Sequence, residues 1–200
     1  TSIVLGSGAA ADDILEVVVY DAFSVADTVS SKDGGSFVGN VNFGGDLSSN
    51  TAGTSNFRAG VNAGNSITSG GNYNVVIGDE AGTALTTGDD NVAIGFEALK
   101  TEDAHGRNVA VGYQSLKTLN AGVVAVTTTV GYKSGTSLTT GVQNVLIGGL
   151  SGDALTNADY NVAVGNNTLS TDTLGSKSTA IGYEALATQN FTTATDSNNT

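Results

Sequence analysis

Residues 91–100 read NVAIGFEALK, and the phrase returns as NVAVGYQSLK, NVAVGNNTLS and STAIGYEALA. Aligned on its glycine it occurs eight times, at Gly60, Gly78, Gly95, Gly112, Gly131, Gly148, Gly165 and Gly182, at intervals of 18, 17, 17, 19, 17, 17 and 17 residues. A self-similar unit at near-fixed spacing prescribes a stacked repeat architecture before anything else. Four residues before the glycine stand Asn56, Asn74, Asn91, Asn108, Thr127, Asn144, Asn161 and Ser178. Three residues after it the side chain is always small, from Ala63 through Ser115 and Thr168 to Ala185.

The phrase is short, β-branched and bounded by Gly, Thr, Asn and Asp, which marks a strand and not a helix. Seventeen residues at ~3.3 Å each give a contour of roughly 56 Å, enough for a flattened coil of two short strands with turns. Each coil then rises one strand spacing of ~4.8 Å. The predicted fold is all-β, a parallel β-solenoid (β-roll) of about eight coils. Stacking places Asn56, Asn74, Asn91, Asn108, Asn144 and Asn161 in an amide ladder. The repeat glycines fall where φ is positive or another backbone presses close. Longer intervals are expected to bulge outward at turns.

The fourth residue after each glycine alternates between Leu (Leu99, Leu116, Leu169, Leu186) and Gly (Gly64, Gly82, Gly135, Gly152). Wherever it is Gly, an aliphatic residue follows three positions later: Ile67, Leu85, Leu138 or Leu155. One large apolar plug per coil, delivered by two loop shapes, is the expectation. Within the strand Val92 and Ile94 share a face and Ala93 takes the other. The first face is expected to fill the coil. The second, formed by Val76, Ala93, Ala110, Leu146, Ala163 and Ala180, is expected to pack against sister chains in a homotrimer, because a strand apolar on both faces is covered on both.

The runs NVAIGFEAL, TTVGYKSG and STAIGYEAL resemble head repeats of trimeric autotransporter adhesins and are at least as similar to repeat regions of bacteriophage tail fibres. The resemblance spans roughly residues 56–190. It implies a trimeric parallel β-roll, although the longer repeat here leaves handedness open. DDILEVVVYDAFSVADTVS followed by GGSFVGNVNFGGDL resembles a connector of phage tail-fibre-like proteins. The organisation expected is a small β connector over 1–30, a glycine-punctuated β shaft over 31–55, and the solenoid over 56–200. The start without Met and the final Asn199 and Thr200, which match the opening of another phrase, suggest an excerpt of a longer fibre.

With a formal charge of −12, the chain lacks the basic footprint that nucleic acid or an anionic membrane requires. Zero Cys excludes disulfides and thiolate sites. No window is apolar over the ~18 residues that suggest a membrane span. The single histidine, His105, has no nucleophile or orienting partner evident in the sequence. The acid pairs Asp12–Asp13, Asp79–Glu80, Asp89–Asp90 and Glu102–Asp103 lack any calcium-loop spacing. GSGAAADD lacks the Lys and Thr of a phosphate loop. No catalytic residue, metal or cofactor is assigned. Phe96, Tyr113, Tyr132 and Tyr183, each following a repeat glycine, are the candidates for stacking on sugar rings of a host glycan; a host surface protein is the other external partner considered. The expected role is a non-enzymatic segment of a phage tail fibre or virion appendage, extracellular, that presents host recognition. The alternatives are an adhesin head and a fibre-borne glycan depolymerase.

Overall fold

The computed structural model describes residues 51–199. The modules expected at 1–30 and over most of 31–55 lie outside the described residues. Eight three-residue strands, one per coil, follow one another in chain order across a single parallel sheet: β1 (Phe57–Ala59), β2 (Val75–Ile77), β3 (Val92–Ile94), β4 (Val109–Val111), β5 (Thr128–Val130), β6 (Val145–Ile147), β7 (Val162–Val164) and β9 (Thr179–Ile181). The short β8 (Gly175–Ser176) pairs in parallel with β10 (Thr195–Asp196). Among the described residues there is no helix. The described residues form a parallel β-solenoid of about eight coils. Val75 lies beside Val92 and Val92 beside Val109, so like residues stack from coil to coil.

A second full strand per coil does not form, except for the β8–β10 pair. A set of left-handed residues turns the chain at the corners of each coil. In the coil of Gly95 they are Asp90 (φ 58°), Gly95 (130°), Glu97 (54°) and Leu99 (49°), and the other coils repeat the pattern. Turns are held instead by backbone hydrogen bonds between coils, such as Leu99 N to Ser115 O at 3.0 Å and Thr86 N to Asp103 O at 2.6 Å. The repeat glycine meets both conditions expected of it. Gly78 has φ 121°, and a Cβ there would lie 2.7 Å from the carbonyl oxygen of Gly95.

At the fourth position the Leu and Gly classes share one backbone: Leu99 and Leu116 have φ 49° and 53°, Gly82 and Gly135 51° and 59°. Beyond it the loops part, since Leu85 N donates to Gly82 O at 3.1 Å and Leu155 N to Gly152 O at 3.2 Å, a bond the coils of Leu99 and Leu169 do not make. What changes is which side chain fills a shared space. A Cβ on Gly82 would lie 2.8 Å from Leu85 Cδ1, and one on Gly64 2.8 Å from Ile67 Cδ1.

The assignment of strand faces is corrected. Val76, Ala93, Ala110, Leu146 and Ala163 have no exposed surface and Ala180 has 2%, all within one chain, so they form the coil interior and not an inter-chain face. The interior is narrow because the small residues three positions after the glycine form its opposite wall: Ala81, Ala98, Ser115, Ser134 and Ser151 are equally buried. Thr129, the polar member of the inner column, is matched there, its hydroxyl 2.6 Å from Ser115 Oγ and donating to Val109 O at 3.2 Å. The β-branched pairs, among them Val92 and Ile94, face outward and are half-buried, while Val130 and Ile147 are each 37% exposed. The extra residues of the longest interval do bulge outward: a Cβ on Gly122 would touch nothing, and Val123 is 55% exposed.

Candidate functional site

The predicted asparagine ladder forms and is buried, with a different wiring from stacked amides. The Oδ1 of Asn74 accepts the backbone N–H of Asn91 at 2.9 Å, and its Nδ2 donates to Gly88 O at 2.8 Å. Asn144 and Asn161 repeat this through Ala158 O and Gly175 O. Asn74 to Asn56, at 3.1 Å, is an amide-to-amide bond. Each side chain therefore ties a corner to the next coil's strand entrance. Asn108 Nδ2 has no hydrogen-bond partner although the residue is fully buried. It opens the coil with the longest interval, 19 residues. These asparagines are structural.

Two buried acids went unrecognised in the sequence. Glu102 and Asp172 stand seven residues after their glycines, where other coils carry Leu85 or Leu155, and neither is exposed. Asp172 Oδ1 accepts from Gly175 N at 3.1 Å and Phe191 N at 2.9 Å, and Oδ2 from Gln189 Nε2 at 2.6 Å. Glu102 accepts from His105 N at 3.2 Å and Ala121 N at 3.4 Å, with His105 Nδ1 at 3.3 Å. Burial pushes the Glu102 carboxyl up, and those N–H donors oppose the shift. Glu102, Asp103 and His105 bring one ligand atom each within 4.8 Å of one another, so they are the described residues that could hold a cation. Both Glu102 oxygens are already engaged by backbone N–H groups, which makes it a cap between coils. His105 also lines a shallow hollow of about 150 Å³ with Asp89, Asp90 and Arg107.

The side chains facing solvent form two adjoining columns. One follows the repeat glycine. Phe96 and Tyr113 stack with centroids 5.4 Å apart and 16° between planes; Tyr113 and Tyr132 stack at 5.4 Å and 13°. The parallel register places them on successive rungs, and all three remain 42–53% exposed. Tyr183, three coils further, is 72% exposed and stacks on none of them. The candidates for sugar stacking are thus a ladder of three and an isolated ring, and the ladder uses most of its faces on itself.

The other column is ionic. Glu97 accepts from Lys100 at 2.7 Å, Lys117 at 2.6 Å and Gln114 at 2.7 Å, which joins adjacent coils. The hydrogen bond from Lys100, then that from Lys117, holds its carboxyl down at about 2. Lys100 also reaches Glu80 at 3.6 Å, and Asn62 donates to Glu80 at 2.7 Å. Of the predicted acid pairs, Asp79 caps the Val61 N–H at 2.9 Å and Asp89 the Asn72 N–H at 2.7 Å. These carboxylates serve the backbone between coils. Asp12–Asp13 lies outside the described residues. No helix among the described residues is long and apolar enough to cross a membrane.

No protein-family model, curated protein or solved structure matches the chain.

Proposed function

We propose that this chain is a structural segment of a phage tail fibre or related virion appendage, in which three copies lie side by side and hold a host-recognising tip at a distance. Its work is mechanical, not catalytic. The observation that carries this reading is the outward face of the eight-stranded sheet. Fourteen of its sixteen side chains are apolar, the exceptions being Thr128 and Thr179, and each strand leaves it half-buried or exposed. Eight strands ~4.8 Å apart make this a mainly apolar strip roughly 34 Å long. A strip of that extent is larger than scattered surface apolar residues and marks an interaction surface. Sister copies suit it, since their identical coil rise keeps residues in phase along the whole length. The acidic, polar remainder of the surface limits sticking elsewhere.

Light scattering of the folded protein tests the assembly. The expected mass is three times 19.9 kDa. Val111→Lys combined with Ile147→Lys is expected to give folded monomers, because both side chains point outward and leave the interior intact. A monomeric wild type overturns the proposal. The gene on either side of this stretch tests the owner: fibre modules support the reading, whereas a signal peptide with a C-terminal membrane barrel would make it an adhesin head.

A further inference from the structure

Glu102 is a carboxylate without exposed surface in a column where other coils place the apolar plugs Leu85, Leu119, Leu138 and Leu155. An ionised group there is costly unless its partners hold it firmly. Asp172, in the same column, is held firmly, by Gly175 N, Gln189 Nε2 and Phe191 N at 2.6–3.1 Å. Glu102 is not. Its backbone donors stand at 3.2 Å (His105 N) and 3.4 Å (Ala121 N), at and beyond the usual N–H···O limit. A carboxylate offers about four lone-pair sites, so both oxygens keep room for another partner.

His105 Nδ1 lies 3.3 Å from Glu102 Oε1, longer than the ~2.7–2.9 Å of a charge-assisted hydrogen bond. Two ligand atoms each ~2.0–2.1 Å from one tetrahedral ion are ~3.3 Å apart, so the spacing is that of a shared metal. Asp103 joins them: one ligand atom from each of the three residues lies within 4.8 Å of the others. Its Oδ1 accepts the Ala104 N–H at 2.6 Å, which fixes the carboxyl. Among the described residues no other three such groups come so close. His105 also borders the hollow at Asp89 and Asp90, which gives an ion and its water a way in. We infer that Glu102, Asp103 and His105 bind a divalent transition metal, zinc first, with water in the fourth position. An imidazole and two carboxylates suit zinc, whereas calcium takes about six to eight oxygens. The backbone N–H groups on Glu102 become the outer donors that orient a ligating carboxylate. Because Ala121 belongs to the next coil, beside the outward bulge at Gly122, the ion ties that insertion to the preceding coil. The site lies within one chain, so it stands whether or not three copies assemble.

The test is calorimetric titration of the tag-free, chelator-treated chain with zinc chloride, and separately with calcium chloride. Zinc is expected to bind one ion per chain at ~1–10 µM, weaker than closed four-ligand sites, and to raise the thermal midpoint until EDTA is added. His105 is the single histidine, so its ring signals in NMR report occupancy directly. They are expected to shift with zinc and not with calcium. His105→Ala and Glu102→Gln are each expected to weaken binding at least ~10-fold, and Asp196→Asn to leave it unchanged. If Glu102→Gln does not fold, His105→Ala, on a half-buried side chain, decides. The inference is overturned if zinc leaves the His105 signals in place, if His105→Ala binds zinc like the wild type, or if calcium takes the same residues in preference.

Discussion

Leu146 and Gly152 share one space: a Cβ placed on Gly152 would lie 2.9 Å from Leu146 Cδ2. The pairing is general. Where the inner strand residue is large (Arg58, Val76, Thr129, Leu146) the fourth position after the glycine is Gly, and where that position is Leu the inner residue is Ala93, Ala110, Ala163 or Ala180. Ala93→Leu should therefore overpack its coil and cost ~1–3 kcal/mol. Adding Leu99→Gly and Glu102→Leu recreates the coil of Leu146, Gly152 and Leu155 and should recover most of that loss. Urea midpoints of the single and triple variants check it; strictly additive losses would show that the three positions do not share a volume.

The repeat glycines should tolerate no side chain. Gly95 has φ 130°, and a Cβ would lie 2.6 Å from the carbonyl carbon of Gly112. Gly95→Ala combines backbone strain of ~1–3 kcal/mol with a clash that only separation of two coils relieves. A total loss of about 3 kcal/mol or more is expected, against a smaller one for Gly149→Ala, where only the exposed Asn166 amide must shift, measured by equilibrium unfolding.

Two carboxylates should give opposite pH responses. Glu97 is lowered from 4.5 to about 2 in the folded chain. Its contribution is whole above the unfolded value and is lost as pH falls through that window. Glu102 is raised by burial. It binds its proton more tightly when folded, so mild acidification above the ordinary carboxylate range stabilises the fold through this group. Glu97→Gln should flatten the acid-side decline, and Glu102→Gln should remove the gain on mild acidification. Unfolding midpoints from neutrality to about pH 3 separate them.

Val126 is a β-branched residue at φ 51° and 47% exposed. Left-handed backbone costs a non-glycine residue ~1–2 kcal/mol, and Gly brings back roughly 0.5–1 through chain entropy. Val126→Gly should gain a few tenths to ~1 kcal/mol, and Val126→Asn a similar amount, since Asn is enriched in this region. A thermal melt reads the sign.

The repeat, the solenoid, the glycine column and the buried asparagines were all legible, because each needs one residue type at one spacing. The strand faces were not. Alternation fixes that Ala93 and Val92 point apart, and it is silent on which points inward. Size misled: the interior is lined on its far side by Ala98 and occupied by Leu99, leaving room for Ala93 and none for a larger neighbour. The left-handed corners at Asp90, Glu97 and their equivalents carried no glycine to mark them. Glu102 and Asp172 had a readable signal, since both stand in the register of Leu85 and Leu155.

The hydrogen bonds that join coils, such as Gly95 N to Ile77 O at 2.7 Å, point along the stacking direction. A pull on the two ends of the chain loads them one coil at a time, as in unzipping. Each coil that lets go releases roughly 60 Å of contour at ~3.5 Å per residue, in exchange for ~4.8 Å of rise. A tether built this way holds more than ten times its own length in reserve and pays it out in equal steps.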